Sequence, residues 1–172
     1  MRSGGRVGSA VVVALVLASC SSKPALHSSA AIVSPTSSQR TEIVKVLTAY
    51  SSATTEQQVC ATITHGLEEA IKAHGAAPSV APGTAETPAS SNCPTVIRRA
   101  VANKEFDLKP FQITVVAILV QIDRAAAWVR GSGTQPFFLI QTPAGWLINN
   151  YGTPPPDFFA LGQAIATARP SP

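Results

Sequence analysis

The most reactive side chains in this sequence are those of three cysteines, at positions 20, 60 and 93. Cysteines that bind a metal or exchange disulfides usually form close pairs such as Cys-x-x-Cys, or stand near closely spaced histidines. Cys60 and Cys93 are 33 positions apart, and the sequence contains no such pair. It also lacks a glycine-rich phosphate loop, a Gly-x-Ser-x-Gly turn and a His-Glu-x-x-His helix. We therefore expect no metal site and no cofactor.

An acid–base catalyst needs a carboxylate or an imidazole whose pKa has been shifted by burial. The predicted strand interiors contain no Asp, Glu or His. Asp123 falls in a predicted turn, and His65 points off the apolar face of its predicted helix together with Glu68 and Glu69. His74 lies at the end of that helix, where it interacts favourably with the helix dipole. These positions favour a protein that is not an enzyme.

A few strand residues are candidates for binding a ligand. Aromatic side chains at alternating strand positions either fill a core, which is the more frequent case, or line a pocket. Asn149 and Asn150 form an uncharged polar pair near the end of the last predicted strand. Of these residues, the candidates for ligand contact are Trp128, Phe138, Trp146 and Asn149, with Phe137 and Tyr151 as further aromatic residues of the same strands.

The elements that position these side chains follow from hydrophobic periodicity. A spacing of three and four residues predicts one helix from Thr41 to about Tyr50, a second from Thr54 or Thr55 to His74, and a third from Cys93. Residues 75–92 are predicted to form a long surface loop. Period-two patterns predict strands at 111–122, 125–130, 137–142 and 146–151. The first of these strands is apolar on both faces, which predicts a central position in the sheet. Helices followed by a strand meander indicate an α+β fold.

The C-terminal residues 153–172 form a proline-rich tail in which Asp157 could cap a short helix. Phe158, Leu161 and Ile165 would share one side of that helix. The helix could cover an open edge of the sheet, or it could leave Phe158 and Phe159 exposed as an apolar patch.

The N-terminus carries signals for export. Arg2 and Arg6 precede an apolar stretch at 10–18, and nine helical residues rise about 13 Å, less than half of a bilayer core. The following Leu-Ala-Ser-Cys at 17–20 resembles the bacterial lipobox, as found in lipoproteins of the actinobacterial type. The resemblance implies a signal peptide at 1–19 and acylation of Cys20. It also implies a lipid anchor in the cell membrane, on its outer face, followed by a flexible Ser/Pro/Ala-rich tether at 20–40.

Export has a consequence for the other two cysteines. In an oxidising compartment, an even pair of cysteines predicts a disulfide. A bond between Cys60 and Cys93 would close the long loop and stabilise the domain by about 3–4 kcal/mol.

The amino-acid composition excludes several other classes of protein. The chain has 172 residues, of which 45% are hydrophobic and 13% charged, so it is neither disordered nor a coiled coil. The net charge is +4, and the basic residues form no run longer than Arg98-Arg99. We therefore expect no binding of nucleic acid.

The order of the predicted elements resembles that of NTF2-like (SnoaL-like) domains over residues 41–152. The resemblance is carried by the helix pair at 41–74, the third helix, the strand-turn-strand at 120–129 (VQIDRAAAWV) and the closing hairpin at 138–148 (FLIQTPAGWLI). It implies N-terminal helices packed into the concave side of a curved antiparallel sheet, which together form a cone.

The favoured function is therefore a non-catalytic lipoprotein that binds an apolar small molecule in the cone, or an envelope protein. Two alternatives stay open. One is an isomerase- or cyclase-like enzyme that uses His74 or Asp123 in the cone. The other is a structural module that forms a homodimer through its sheet.

Overall fold

The computed structural model describes residues 30–74, 87–131 and 134–168. Five α-helices and four β-strands lie within these ranges. The helices are α1 (Ser37–Ser51), α2 (Glu56–Cys60), α3 (His65–His74), α4 (Cys93–Ala102) and α5 (Phe159–Thr167), the last preceded by a 3-10 turn at Pro156–Phe158. The strands are β1 (Thr114–Gln121), β2 (Arg124–Arg130), β3 (Thr134–Thr142) and β4 (Gly145–Tyr151), paired antiparallel in the order β1-β2-β3-β4. The predicted α+β class is confirmed. The predicted signal peptide at 1–19, Cys20 and the loop residues 75–86 lie outside the described residues.

Helix α1 begins earlier than its apolar pattern predicted. Thr36 caps it through a capping box, in which the Gln39 backbone N–H donates to Thr36 Oγ1 (3.2 Å) and Gln39 Oε1 accepts from the Thr36 backbone N–H (2.9 Å). The first turn is polar, so hydrophobic periodicity missed it. Within the predicted tether at 20–40, residues 37–40 are therefore helical, and Val33 pairs with Val120 of β1.

The second predicted helix is in fact two helices. Thr55 and Gln58 form the capping box that starts α2, but the helix ends at Cys60. Ile63 then pairs in parallel with Ile148 at the free edge of β4, before α3 begins. This short pairing satisfies backbone hydrogen-bonding groups at the edge of β4, and it interrupts the helix. Local periodicity does not reveal such an interruption, because the pairing is with a distant residue.

The prediction that the first strand is central in the sheet was wrong, because β1 is an edge strand. Its two faces are nevertheless covered, one by the N-terminal helices and the other by α5. A bulge at Val116 changes which residues face each side: Val115 and Ile118 face the first core, and Ala117 and Leu119 the second. Strict alternation predicts Val115, Ala117 and Leu119 on one face of this strand, and the bulge moves Ala117 and Leu119 to the other face.

The remaining strands lie close to their predicted positions. Gln121 pairs with Arg124, so the β1–β2 turn consists of Ile122 and Asp123 alone, one residue earlier than predicted. Thr142 pairs with Gly145 across the second two-residue hairpin. A second bulge, at Asn149, interrupts the pairing of β3 with β4.

The sheet separates two cores. Side chains of α1 to α4 and one face of the sheet form the larger core, and α5 packs on the opposite face, mainly against β1 and β2. Phe158, Leu161 and Ile165 are at most 1% exposed, whereas Phe159 is 59% exposed. The predicted helix in the tail is therefore present and forms part of the domain, and no joint Phe158–Phe159 patch is exposed.

The predicted disulfide between Cys60 and Cys93 is confirmed, and it joins the end of α2 to the start of α4. Arg98 of α4 also contacts Glu56 of α2, with Nε 3.2 Å from Oε1. In the described part of the chain, the helices are too short or too polar to cross a membrane.

Candidate ligand-binding cavity

A cavity of about 460 Å³ lies at the end of the sheet where β2 ends and β3 begins. Its volume falls within the range of small-molecule sites. Its walls are formed by Tyr50, Phe111, Ile113, Val129, Phe137 and Tyr151, and further lining comes from Glu105, Phe106, Asp107, Lys109, Pro110, Gly131 and Gln135.

Four aromatic rings make contact in the walls. The ring centroid of Tyr50 lies 6.4 Å from that of Phe111, 6.0 Å from that of Phe137 and 6.5 Å from that of Tyr151. The Tyr50–Phe111 and Tyr50–Phe137 pairs are edge-to-face, which is a favourable arrangement of ring quadrupoles. Because α1, β3, β4 and the segment before β1 each supply one ring, the tertiary fold creates this wall and no single motif does.

The phenol of Tyr50 gives the cavity a polar group that stays neutral. Burial, the nearby Tyr151 and the hydrogen bond with it raise the pKa of Tyr50 well above the ordinary value for tyrosine. At neutral pH the hydroxyl is therefore protonated, and it can donate or accept a hydrogen bond but cannot act as a base.

The segment between α4 and β1 closes one side of the cavity. Lys104, two residues after the end of α4, has φ +61°, and beyond it the chain turns back towards α1. The Phe111 backbone N–H then donates to the Ser51 carbonyl (2.9 Å). A Cβ at Gly131 would lie 2.6 Å from the carbonyl oxygen of Gln112, so this close approach of β2 to the segment requires glycine.

Charged groups lie at the rim of the cavity. Glu105, Asp107 and Lys109 are exposed, and Lys109 Nζ lies 3.7 Å from Asp107 Oδ2. Solvent screens such pairs, so they contribute little to stability. They give the mouth of the cavity a mixed charge around apolar walls.

A second hollow, of about 670 Å³, lies beyond Phe111 and Ile113. Exposed polar side chains of Thr48, Ser52 and Arg130 line it. It is a groove on the surface and is less suited to an apolar ligand than the first cavity. We call the first cavity the aromatic cavity, after the rings of Tyr50, Phe111, Phe137 and Tyr151 in its walls.

The four residues predicted to contact a ligand are not brought together. Trp128 and Phe138 belong to the core under α5, on the opposite face of the sheet from the cavity. Trp146 is buried in the larger core, and among the described residues its indole Nε1 has no hydrogen-bond partner. Asn149 is buried at the β4 bulge and accepts from Thr64 Oγ1 (2.9 Å). All four lie outside the cavity lining, because the two faces and both ends of the sheet separate them.

Phe137 and Tyr151, the further aromatic residues of the same strands, do line the cavity. Tyr50 lies near the end of the first predicted helix, and nothing in the sequence linked it to a site. Its partner Phe111 lies in a segment whose path depends on the end of α4, which no local pattern encodes.

The candidate acids and bases lie elsewhere. Asp123 is in the β1–β2 turn, at the opposite end of the sheet from the cavity, and Arg124 Nη1 lies 3.1 Å from its Oδ1. His74 is the last residue of α3, and its side chain lies outside the described part. Asp123 therefore does not line the cavity.

The prediction that Glu68 points away from the core was wrong. Glu68 is 1% exposed, and its carboxylate accepts from Ser90 Oγ (2.6 Å) and the Ser90 backbone N–H (2.7 Å). His65 Nδ1 lies 2.9 Å from Glu68 Oε2. Burial alone would raise the pKa of Glu68, but the hydrogen bonds from Ser90 and His65 outweigh it, so the pKa lies below its ordinary value.

The cluster of His65, Glu68 and Glu69 has ligand atoms within 4.8 Å of one another, a spacing compatible with a metal ion. Both carboxylate oxygens of Glu68 are however already bonded to Ser90. The cluster therefore has a structural explanation: it holds the residues just before α4 against α3.

Comparisons with known proteins identify no relative. No protein-family model, no curated protein sequence and no solved structure matches this chain significantly.

Proposed function

We propose that this chain is an exported, lipid-anchored binding protein. Its NTF2-like cone would hold an apolar small molecule without transforming it. The anchor would be an acylated Cys20, which follows a signal peptide at 1–19 and places the domain on the outer face of the cell membrane.

The aromatic cavity is the observation that carries the proposal. The pocket has a volume of about 460 Å³ and opens to solvent, with aromatic and aliphatic side chains on its inner walls and charged side chains at its rim, so it suits a small ligand with an apolar body. The hydroxyls of Tyr50 and Tyr151 and the amide of Gln135 offer uncharged hydrogen-bonding groups. We infer a neutral ligand with an apolar body and one polar group.

The chemistry of the walls supports binding without catalysis. The raised pKa of Tyr50 keeps its phenol protonated. The carboxylates of Glu105 and Asp107 are exposed to solvent at the rim of the cavity. Acid–base catalysis on a bound ligand would need a group buried beside it and tuned to the working pH.

Two features support the location and the cone. A disulfide between Cys60 and Cys93 is typical of chains that fold in an oxidising compartment. The bulges at Val116 and Asn149 bend edge strands, as a cone requires.

Binding of N-phenyl-1-naphthylamine, a neutral apolar fluorophore, tests this function. We expect enhanced probe fluorescence with the wild-type chain. Ile113→Trp fills the cavity, and we expect it to weaken probe binding by at least about tenfold. Leu119→Trp is the matched control, because Leu119 is also a half-buried aliphatic residue and lies in β1, shortly after Ile113 along the chain, but on the opposite face of the sheet. Equal probe affinity for wild type and Ile113→Trp would refute the assignment of the cavity.

A further inference from the structure

The turn between β1 and β2 contains Ile122, whose backbone conformation and solvent exposure are both unfavourable for isoleucine. Ile122 has φ +56° and is 72% exposed. Hairpin turns with a positive φ at this position are dominated by Gly, Asn and Asp, and a β-branched residue there is an outlier. An apolar side chain that is both strained and exposed does not serve the stability of the domain. Such conflicts occur where a residue has another role.

Other apolar groups lie at the same end of the sheet as Ile122. In an antiparallel meander, the β1–β2 and β3–β4 turns lie at the same end of the sheet, and the Asp123 carbonyl accepts from the Gln141 backbone N–H (2.7 Å). Asp123 and Arg124 pair with each other, which offsets their charges. We call this end, with Ile122, Val33 and the exposed turn residues Pro143 and Ala144, the hairpin end.

The N-terminal segment joins the domain at the hairpin end. Val33 exchanges two backbone hydrogen bonds with Val120, each 2.9 Å long. Gln121 Nε2 donates to the Ala30 carbonyl (2.8 Å), so Ala30 lies beside the β1–β2 turn. Cys20 is ten residues before Ala30, and ten residues span at most about 36 Å when fully extended.

We propose that the hairpin end docks on the lipid surface that carries the anchor, with Ile122 entering the boundary between headgroups and acyl chains. This inference rests on the proposed acylation of Cys20, since the short connection keeps the hairpin end close to the bilayer. The binding is apolar, so it does not require anionic lipid. The aromatic cavity lies at the other end of the sheet and faces away from the membrane.

Fluorescence quenching on vesicles tests the docking. The full acylated chain, with its acylation verified by intact mass, is reconstituted in phosphatidylcholine vesicles that contain phosphatidylcholine with brominated acyl chains. Ile122→Trp places an indole at the hairpin end. Gln112→Trp is the matched control, because Gln112 is exposed and precedes β1, about 30 Å along the strand direction. Trp128 and Trp146 contribute the same background to both variants.

We expect the added emission of Ile122→Trp to shift to shorter wavelength and to be quenched, and that of Gln112→Trp to be unaffected. Quenching of neither indole, or equal quenching of both, would overturn the docking while leaving the anchor intact. A chain with an unacylated Cys20 would overturn both the docking and the anchor.

A second variant avoids any effect of the bulky indole. Ile122→Gly suits the positive φ and should fold normally. In the wild-type chain we expect the amides around the β1–β2 turn to exchange hydrogen more slowly on vesicles than in detergent. This slowing should be lost in Ile122→Gly. Equal slowing in both chains would contradict a role for Ile122.

Discussion

At the residue scale, the carboxylate of Glu68 links two segments that are distant in sequence. Ser90 lies 16 residues after the end of α3 along the chain, and it donates two hydrogen bonds to this carboxylate. Cys93 follows three residues later and is bonded to Cys60. The carboxylate and the disulfide therefore both hold the start of α4 against the preceding helices.

We predict that Glu68→Gln lowers the free energy of unfolding by about 1–3 kcal/mol, because the amide turns one acceptor oxygen into a donor that faces donors. Urea denaturation measures this change. Glu69→Gln is the neighbouring control: Glu69 is half exposed and pairs with Lys72, so its loss should cost less than about 1 kcal/mol. Equal effects of the two changes would argue against the Ser90 network.

The pH dependence of the stabilisation by Glu68 gives a second prediction. The pKa of Glu68 is lowered in the folded protein, so its contribution is complete above the ordinary pKa of about 4.3 and is lost as the pH falls through the folded pKa. The stability difference between wild type and Glu68→Gln should be constant above about pH 5.5 and should shrink below about pH 4. Denaturation curves across this pH range measure the stability difference between the two chains. A difference that grows on acidification would contradict the prediction.

The isoleucine at position 122 lowers the stability of the domain, because its backbone is strained and its side chain is mostly exposed. We predict that Ile122→Gly raises the free energy of unfolding by about 0.5–1 kcal/mol, since glycine tolerates φ +56° and the isoleucine buries little. Ile122→Ala retains a Cβ and should gain less. Thermal unfolding of the three chains measures the order, and a destabilised Ile122→Gly would contradict the strain.

At the element scale, the disulfide closes a loop of 33 residues between α2 and α4. We predict that the double change Cys60→Ala and Cys93→Ala lowers stability by about 3–4 kcal/mol, because the unfolded chain gains conformational freedom. Urea denaturation with and without a reductant measures this. Reductant should destabilise the wild-type chain alone, and a loss below about 1 kcal/mol would refute the expected contribution of the bond.

Helix α5 forms the second core, so the tail should be essential to the domain. Leu161→Ala removes a fully buried side chain, and we predict a loss of about 2–5 kcal/mol. Phe159→Ala, in the same helix but 59% exposed, should change stability by less than about 1 kcal/mol. Similar small effects of both changes on the urea midpoint would show that α5 does not pack on the sheet.

Elements with local signals were predictable from the sequence, and those set by tertiary contacts were not. The β3–β4 hairpin follows from alternating apolar residues on either side of Pro143, Ala144 and Gly145. The start of α1 had a usable signal, since Thr36 and Gln39 have the same capping-box spacing as Thr55 and Gln58. The break between α2 and α3 and the edge position of β1 depend on pairing with distant residues, so periodicity could not reveal them.

The candidate site was less predictable than the fold for a related reason. Phe137 and Tyr151 were identifiable as strand aromatics, but Tyr50 and Phe111 join them only through the path of the chain between α4 and β1. The residues predicted to bind a ligand, such as Trp128 and Phe138, fill the core under α5. The sequence left open whether this helix covers an edge of the sheet or stays exposed, and it did not predict that the helix packs on a face.

At the scale of the whole molecule, the two proposed functions lie at opposite ends of the sheet. The N-terminal segment and Ile122 lie at the hairpin end, and the cavity lies at the end where Val129 and Phe137 lie. If the hairpin end contacts the bilayer, the cavity opens away from it. A ligand would then arrive from the aqueous side of the envelope rather than from the membrane.

Native mass spectrometry of the chain extracted from the membranes of its host tests the central claim most directly. We predict an acylated chain that carries a non-covalently bound small molecule, and the loss of this molecule in Ile113→Trp but not in Leu119→Trp. A chain that carries no bound molecule, or one that Ile113→Trp retains as well as wild type does, would contradict a binding role for the aromatic cavity.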